Sequence, residues 1–258
     1  MSAATGYFIA GSSWLHRRNP LTKLLALFLV LLSAFLLPPL VLPVLAVAIA
    51  VAAWTAGLLR PLLRAMRIPA VLLLSIVVVN GLFFPAAKDV IVSLGPFSLT
   101  SEGLTFGLVS AGRVLVAFLA SVTFLFATLA DDMLESLISR GASYRISFVV
   151  LSAVQLVPRM RTRASAILDA QQARGLSLEG SFVRRIRSLV PLIGPVLLGS
   201  LVDARERTFA LEARGFGARP GRTAYRTVAD PPADRWLRLL ILAAAVAVVL
   251  VALGVVSL

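Results

Sequence analysis

The sequence predicts an all-α polytopic membrane protein, with about five transmembrane helices and long amphipathic cytoplasmic helices. Three observations predict it. Of 258 residues, 59% are apolar and only 14% charged, and mean hydropathy is +0.94. An ordinary soluble domain is about 45–50% apolar and about 25% charged. The apolar residues gather in runs of about 20, the length that crosses a hydrocarbon core. Charge is concentrated instead in one block, Ala130 to Arg235, which holds 16 arginines and 10 of the 12 acids. This composition excludes an ordinary soluble enzyme and a disordered chain.

The spans follow in order. The first runs from Leu21 to Leu37, with Lys23 at its start, and Pro38-Pro39 turns the chain. The second runs from Leu40 to Leu59 and meets Arg60, Arg64 and Arg67. The third runs from Ile68 to Phe84 and is closed by Pro85. The fourth runs from Gly103 to Leu129, interrupted by Arg113. The last runs from Trp236 to Leu258. A further apolar stretch, Ile146 to Val157, is too short to span and reads as interfacial or packed on other helices. The domains are therefore transmembrane helices over 1–130, a cytoplasmic region over 131–235 and a C-terminal transmembrane helix over 236–258.

Orientation follows the cations, because Lys and Arg near span ends stay cytoplasmic. His16, Arg17, Arg18 and Lys23 precede or open the first span, and Arg60, Arg64 and Arg67 follow the second. The Pro38-Pro39 turn is uncharged, and the loop from Pro85 to Glu102 carries one cation, Lys88, beside Asp89. The N-terminus is expected inside and the C-terminus outside. Arg17-Arg18 has the look of an export signal, but no small-residue cleavage site follows, so the first helix is expected to be retained.

In the cytoplasmic block, Asp131 or Asp132 is the expected N-cap and Gly141 the stop of a short helix, Met133 to Arg140. A second helix is expected from about Ile146, through or restarting at Pro158, to Arg174. A third is expected from Pro191 or Pro195 to Arg214, with Leu197, Leu201, Ala204, Thr208 and Leu211 on one face. Asp203 and Arg207 are spaced for an i,i+4 pair. The two long helices end alike: Ala170-Gln171-Gln172-Ala173-Arg174-Gly175-Leu176 and Ala210-Leu211-Glu212-Ala213-Arg214-Gly215-Phe216. A single Ala-Arg-Gly is an ordinary αL helix stop with an arginine complementing the macrodipole. Two copies on two cytoplasmic helices of a membrane protein point to two equivalent acidic sockets, such as those on a dimer of soluble subunits. A terminal guanidinium can fork onto a carboxylate there.

These features resemble the transmembrane T component of energy-coupling factor (ECF) importers, an ABC-type family. Ser13, His16, Asn19, Pro20 and Lys23 match the family's S-x-x-H-x-x-[DN]-P-x-x-K pattern, and the span order, the short Asp132–Arg140 helix and both Ala-Arg-Gly ends follow in register. The resemblance implies a scaffold rather than an enzyme, needing no cofactor. Its partners would be two cytosolic ABC ATPase subunits, a membrane substrate-binding S component and the lipid bilayer, with no nucleic acid. Docking would fall on Ala173, Arg174, Gly175, Ala213, Arg214 and Gly215 of two crossed coupling helices. The cargo would be a vitamin or a transition-metal ion in a prokaryotic cell membrane.

Other readings weigh less. Gly217-Ala218-Arg219-Pro220-Gly221-Arg222-Thr223 has arginine in place of lysine and the wrong glycine spacing for a phosphate loop. One histidine and no cysteine leave little for transition-metal ligation. The spans hold no Asp or Glu beyond the Glu102 boundary, which argues against a membrane enzyme or a proton-coupled carrier. An ordinary ABC importer permease would offer one coupling signature. An arginine-rich membrane anchor would lack the interleaved acids. Gly103, Gly107 and Ala111 form a small-residue stripe for close helix packing or an S-component contact. Arg113 should face protein, either as a structural hydrogen-bonding residue, with Asn80 as a candidate partner, or as an S-component contact.

Overall fold

The computed structural model describes residues 8–84, 90–94, 97–176, 181–216 and 228–254. The chain divides into two units: residues 1–141 with 228–258, and residues 142–227. Against the expected 131–235 region, the short helix near residue 135 and the segment 228–235 fall with the first unit.

The first unit opens with a single turn, α1 (Trp14–Arg17), and then α2 (Pro20–Leu36). Asn19 caps α2 by accepting from the Leu21 amide at 3.0 Å, and Pro20 occupies the first turn, where its missing N–H costs nothing. Pro38-Pro39 turns the chain into α3 (Val41–Thr55). α4 (Leu59–Ala65) and α5 (Arg67–Phe83) are bent by 53° at Met66. Pro69 explains the break: its ring would meet the carbonyl of residue 65, where α4 stops. α6 (Ser101–Ala127) is capped by Thr100, whose Oγ1 accepts from the Gly103 amide at 3.2 Å. α7 (Ala130–Ile138) follows, and α10 (Pro232–Ala252) closes the unit after the second unit's two helices.

α6 is the hub, packing on α2, α3 and α5. Small and β-branched residues hold it close: Ala34, Ala53 and Val116 are buried to 1% exposure or less. Large apolar side chains on the outside of the unit stay exposed, among them Ile68, Val71, Val78 and Leu240.

The five expected spans correspond to α2, α3, α5, α6 and α10. Among the described residues, only α6 and α10 are long and apolar enough alone to cross a membrane; α4 with α5 qualifies as a bent pair. α2 and α3, with 17 and 15 residues, are apolar but shorter. At 1.5 Å per residue they reach about 25 and about 23 Å, against a hydrocarbon core of about 30 Å.

Three expectations are corrected. The segment read as a loop after Phe84 contains an antiparallel pair, β1 (Val90–Leu94) and β2 (Phe97–Thr100). Its β-branched run Val90-Ile91-Val92 favours a strand over a coil. The N-cap of α7 is Leu129, not Asp131 or Asp132; both acids lie in the first turn, where they complement the helix dipole. In the second unit, α8 spans Tyr144–Ala173 with Pro158 inside, and α9 spans Phe182–Ala213, so it begins before Pro191 and Pro195. Each interior proline removes one backbone hydrogen bond, and the neighbouring turns keep theirs. The glycine- and arginine-rich loop 217–223 lies outside the described residues.

Candidate functional site

The ends of α8 and α9 are built alike. Gly175 N donates to Gln172 O at 2.9 Å and Leu176 N to Gln171 O at 3.0 Å. Gly215 N donates to Glu212 O at 2.9 Å and Phe216 N to Leu211 O at 2.9 Å. Both are Schellman closures, and both glycines have positive φ, 93° and 71°. The preceding arginines have matching backbones, φ −89°, ψ 9° at Arg174 and φ −87°, ψ 5° at Arg214. Ala173, Arg174, Gly175, Ala213, Arg214 and Gly215 are all exposed. Neither guanidinium has a partner among the described residues. Each rigid helix stop therefore presents a charged fork to solution.

The two helices meet at equivalent positions. Arg163 of α8 grips Asp203 of α9 with two bonds, Nη1 to Oδ2 at 2.6 Å and Nη2 to Oδ1 at 3.0 Å. Ser200 Oγ lies 3.1 Å from Met160 Sδ. Both pairs are 40 residues apart, the spacing that separates Arg174 from Arg214. The two helices therefore meet in register, at equivalent positions of the two copies of the repeat. Gly199 makes room for it, since a Cβ there would stand 3.1 Å from Arg163 Nη1. The Arg163 hydrogen bond holds the Asp203 carboxyl below its usual range, with Arg207 and Arg159 adding favourable charge. The hydrogen bonds of Asp203 thus go across to α8, not to Arg207 along α9 as spacing predicts. The predicted apolar face of α9 is open: Leu197 and Leu201 are more than half exposed, as are Ile146, Val149 and Val157 on α8.

In the first unit, Gly103, Gly107 and Ala111 are buried. A Cβ on Gly103 would lie 2.4 Å from the Asn80 carbonyl oxygen, and one on Gly107 3.1 Å from Val77 Cα. The stripe therefore faces α5. Asn80 does not reach Arg113; its Nδ2 donates to Ile76 O at 2.7 Å. Arg113 Nε is buried without a hydrogen-bond partner among the described residues. The side chain lines an open groove on α6 with Glu102, Thr105, Phe106 and Ser110.

The N-terminal motif is internal wiring. Ser13 Oγ and His16 Nδ1 are 2.6 Å apart, and His16 Nε2 is 3.0 Å from Ile9 O. Lys23 is buried, not a solvated flanking cation; its Nζ donates to Ala127 O at 2.7 Å, at the C-terminus of α6. Asn19 Oδ1 accepts from Ser136 Oγ of α7 at 2.9 Å, and Asn19 Nδ2 donates to Ala229 O at 3.3 Å. Fully buried Asp234 accepts from Asn19 N at 2.7 Å and pairs with Arg18 at 2.6 Å. Asp230 takes two bonds from Arg238, at 2.8 and 3.1 Å, and one from Arg140 at 3.1 Å. The Arg238 hydrogen bonds hold the Asp230 carboxyl below its usual range, helped by Arg140 and Arg235. Sequence reasoning missed this network. The one signal was the spacing of Asp230, Asp234 and Arg238, three charges at four-residue steps at the mouth of an apolar run.

All three tryptophans mark the same end. Trp14 donates to Thr55 Oγ1 at 3.2 Å beside Trp54, and Trp236 sits in the first turns of α10, next to the Asp234 network. All three are at least half exposed, as interfacial anchors are.

The chain matches the CbiQ family, described as cobalt transport protein, over residues 11–225. It is 31% identical over 233 residues to the energy-coupling factor transporter transmembrane protein EcfT of Heliobacterium modesticaldum, covering 86% of each chain. It is 30% identical over 241 residues to the protein of the same name from Bacillus selenitireducens, covering 87% of this chain and 88% of that one. It is also 29% identical over 251 residues to a putative ABC transporter ATP-binding protein of Bifidobacterium longum. That match takes in 93% of this chain and only 32% of the longer relative.

Proposed function

The chain belongs to the CbiQ cobalt transport family, that of ECF transporter transmembrane components, and on that premise we propose that it couples ATP hydrolysis by two cytosolic ABC ATPases to uptake through an S component. The observation that carries the reading is the pair of equivalent exposed ends, Arg174 and Arg214, on two helices that meet in register. Each lies 11 residues beyond the crossing pair Arg163–Asp203, an arm of about 17 Å at 1.5 Å per residue. Two related arms suit two copies of one subunit, each offering an acidic socket. The ATP-binding relative supports the same pairing, because one longer chain there carries a region like this one alongside more sequence.

In this mechanism the chain catalyses nothing. When nucleotide moves the ATPases, the arms move with them only as far as docking differs between the two ATPase states. The open apolar faces of α8 and α9 suit an S component, and Arg113 with its groove is a second candidate contact. The cargo is a vitamin or a transition-metal ion held by that partner. The N-terminus and second unit lie on the cytoplasmic side of a plasma membrane crossed several times. The cations at this end, Arg17, Arg18, Arg60 and Arg64, favour this orientation.

The test is Arg174→Glu, Arg214→Glu and the double variant, co-expressed with the ATPases. Charge-assisted bonds at a partly desolvated interface contribute about 1.5–3 kcal/mol each. Each single variant should weaken ATPase co-purification at normal membrane abundance, and the double variant should abolish it. Wild-type assembly by the double variant would reduce both ends to ordinary helix stops.

A further inference from the structure

One open face of α6 carries charge at membrane depth. Glu102, Thr105, Phe106, Val109, Ser110 and Arg113 follow at three- and four-residue steps, so they share one side of the helix. They line an open groove of about 640 Å³ within the first unit. Arg113 sits at the middle of the 27-residue helix and Glu102 in its first turn, about 17 Å away along the axis. Arg113 Nε is buried and makes no hydrogen bond, and neither charge has an ion pair among the described residues. The Gly103 and Gly107 side of the same helix is already taken by α5. An arginine at the centre of a span is costly unless it pairs with a protein group or faces water.

Three kinds of molecule can cover a face inside the bilayer. A second copy of this chain, related by a two-fold axis along the membrane normal, would set Arg113 and Glu102 each at the depth of its own like charge, and like charges repel. A lipid phosphate lies about 15 Å from the bilayer centre, farther than an arginine side chain extends. A helix of a different membrane protein can bring a carboxylate to the centre. We propose that the groove seats such a helix, one that bears Asp or Glu at the depth of Arg113 and Lys or Arg about 11 residues away at the depth of Glu102. The carboxylate takes the guanidinium as a two-bond fork. The outer pair lies near water, where an ion pair is weak, so it sets register more than affinity. Helix rise is fixed, so the spacing holds for a parallel or an antiparallel partner. The inference deepens the contact proposed above for this groove, and rests on that reading for the identity of the partner as the S component.

The experiment replaces Thr105, exposed in the groove, by the photo-crosslinker p-benzoylphenylalanine in the full chain, in the membranes of the cell that encodes it. Illumination captures the occupant, and mass spectrometry reads its peptide. The expected capture is an apolar segment of about 20 residues with an acid and a cation at the stated spacing. Arg113→Leu should cut the yield at least about tenfold, the loss of one charge-assisted bond, and Arg113→Lys should keep most of it. Arg113→Asp should lose the capture and regain it when the partner's acid is exchanged for Arg. Thermal unfolding of the isolated chain separates folding from binding: Arg113→Leu should be at least as stable as the parent, because the guanidinium has no partner there to lose. A lower Tm would make Arg113 an internal structural residue and overturn the proposal. So would capture of lipid, of a second copy of this chain or of a helix without the acid, no capture at all, or parent-level yield in Arg113→Leu. Capture of the expected helix from a protein that is not a substrate-binding subunit would uphold the groove's chemistry and overturn the S-component reading alone.

Discussion

Replacing Gly103 by alanine should destabilise the isolated chain through one identifiable contact. The added Cβ would lie 2.4 Å from the Asn80 carbonyl oxygen, 2.6 Å from Thr100 Oγ1 and 2.8 Å from Phe84 Cβ. The first of these belongs to the α5 backbone, which no rotamer change can move. Relief requires α5 to retreat by about 1 Å, against a packed core where an inserted methyl costs about 1–3 kcal/mol. The Thr100 hydroxyl would also leave its capping bond to the Gly103 amide, a loss of about 1 kcal/mol. Alanine recovers about 1 kcal/mol of helix propensity. The net cost is about 1–3 kcal/mol, or about 2–12 °C in Tm at about 2–4 °C per kcal/mol for a chain of this size. Gly194→Ala is the control: on α9 its Cβ would meet nothing within 4 Å, so only the propensity gain remains. Thermal unfolding in detergent, followed by tryptophan fluorescence, compares the two. A Gly103→Ala chain as stable as the parent would refute the close α5–α6 approach and return the stripe to a partner protein.

Asp234→Ala should cost about 2–3 kcal/mol in the same assay. Removing one side of a buried pair costs about 3–5 kcal/mol, reduced here because Arg18 is 36% exposed and can turn to water. Asp203→Asn should broaden the distance between spin labels at Gln172→Cys and Glu212→Cys, which occupy equivalent places on the two arms; an unchanged distribution would remove Arg163–Asp203 as the pin of the crossing. The Asp230 network should respond to acid in one direction only. Its carboxyl is held below the ordinary value of 3.8, so its stabilising bonds to Arg238 and Arg140 are complete above that value and lost as pH falls through the depressed one. The distance between spin labels on α7 and α10, both in the first unit, should therefore be flat from about pH 8 to about pH 5, above the carboxylate values; a transition near neutrality would mean another group controls it.

The sequence could place whatever depends on neighbours within a few residues. Gly141, Gly175 and Gly215 stop helices because the αL turn after a helix is open mainly to glycine, and all three have positive φ. The apolar runs locate α2, α3, α5, α6 and α10, because a run's length and composition report the medium that surrounds it. The repeated Ala-Arg-Gly was legible for the same reason, as two identical local structures. Local reading misled where local cues pointed the other way. Pro191 and Pro195 looked like a helix start, yet α9 runs through both, and the segment before α6 looked like a loop, yet it pairs as two strands.

By itself, then, the sequence determined a membrane protein, its helical segments, and two matching cationic ends on a charge-rich block. Only the tertiary structure decided which charges stay exposed and which are tied into the fold. Arg18 and Asp234 are separated by 216 positions, and Arg140 and Asp230 by 90, so no periodicity joins them. Asp203 bonds Arg163 on the facing helix, not Arg207 one turn along its own. Arg174 and Arg214 were left bare. The physical reason is that a charge near a membrane must find a partner or reach water, and which of the two it does depends on helices brought together from distant parts of the chain.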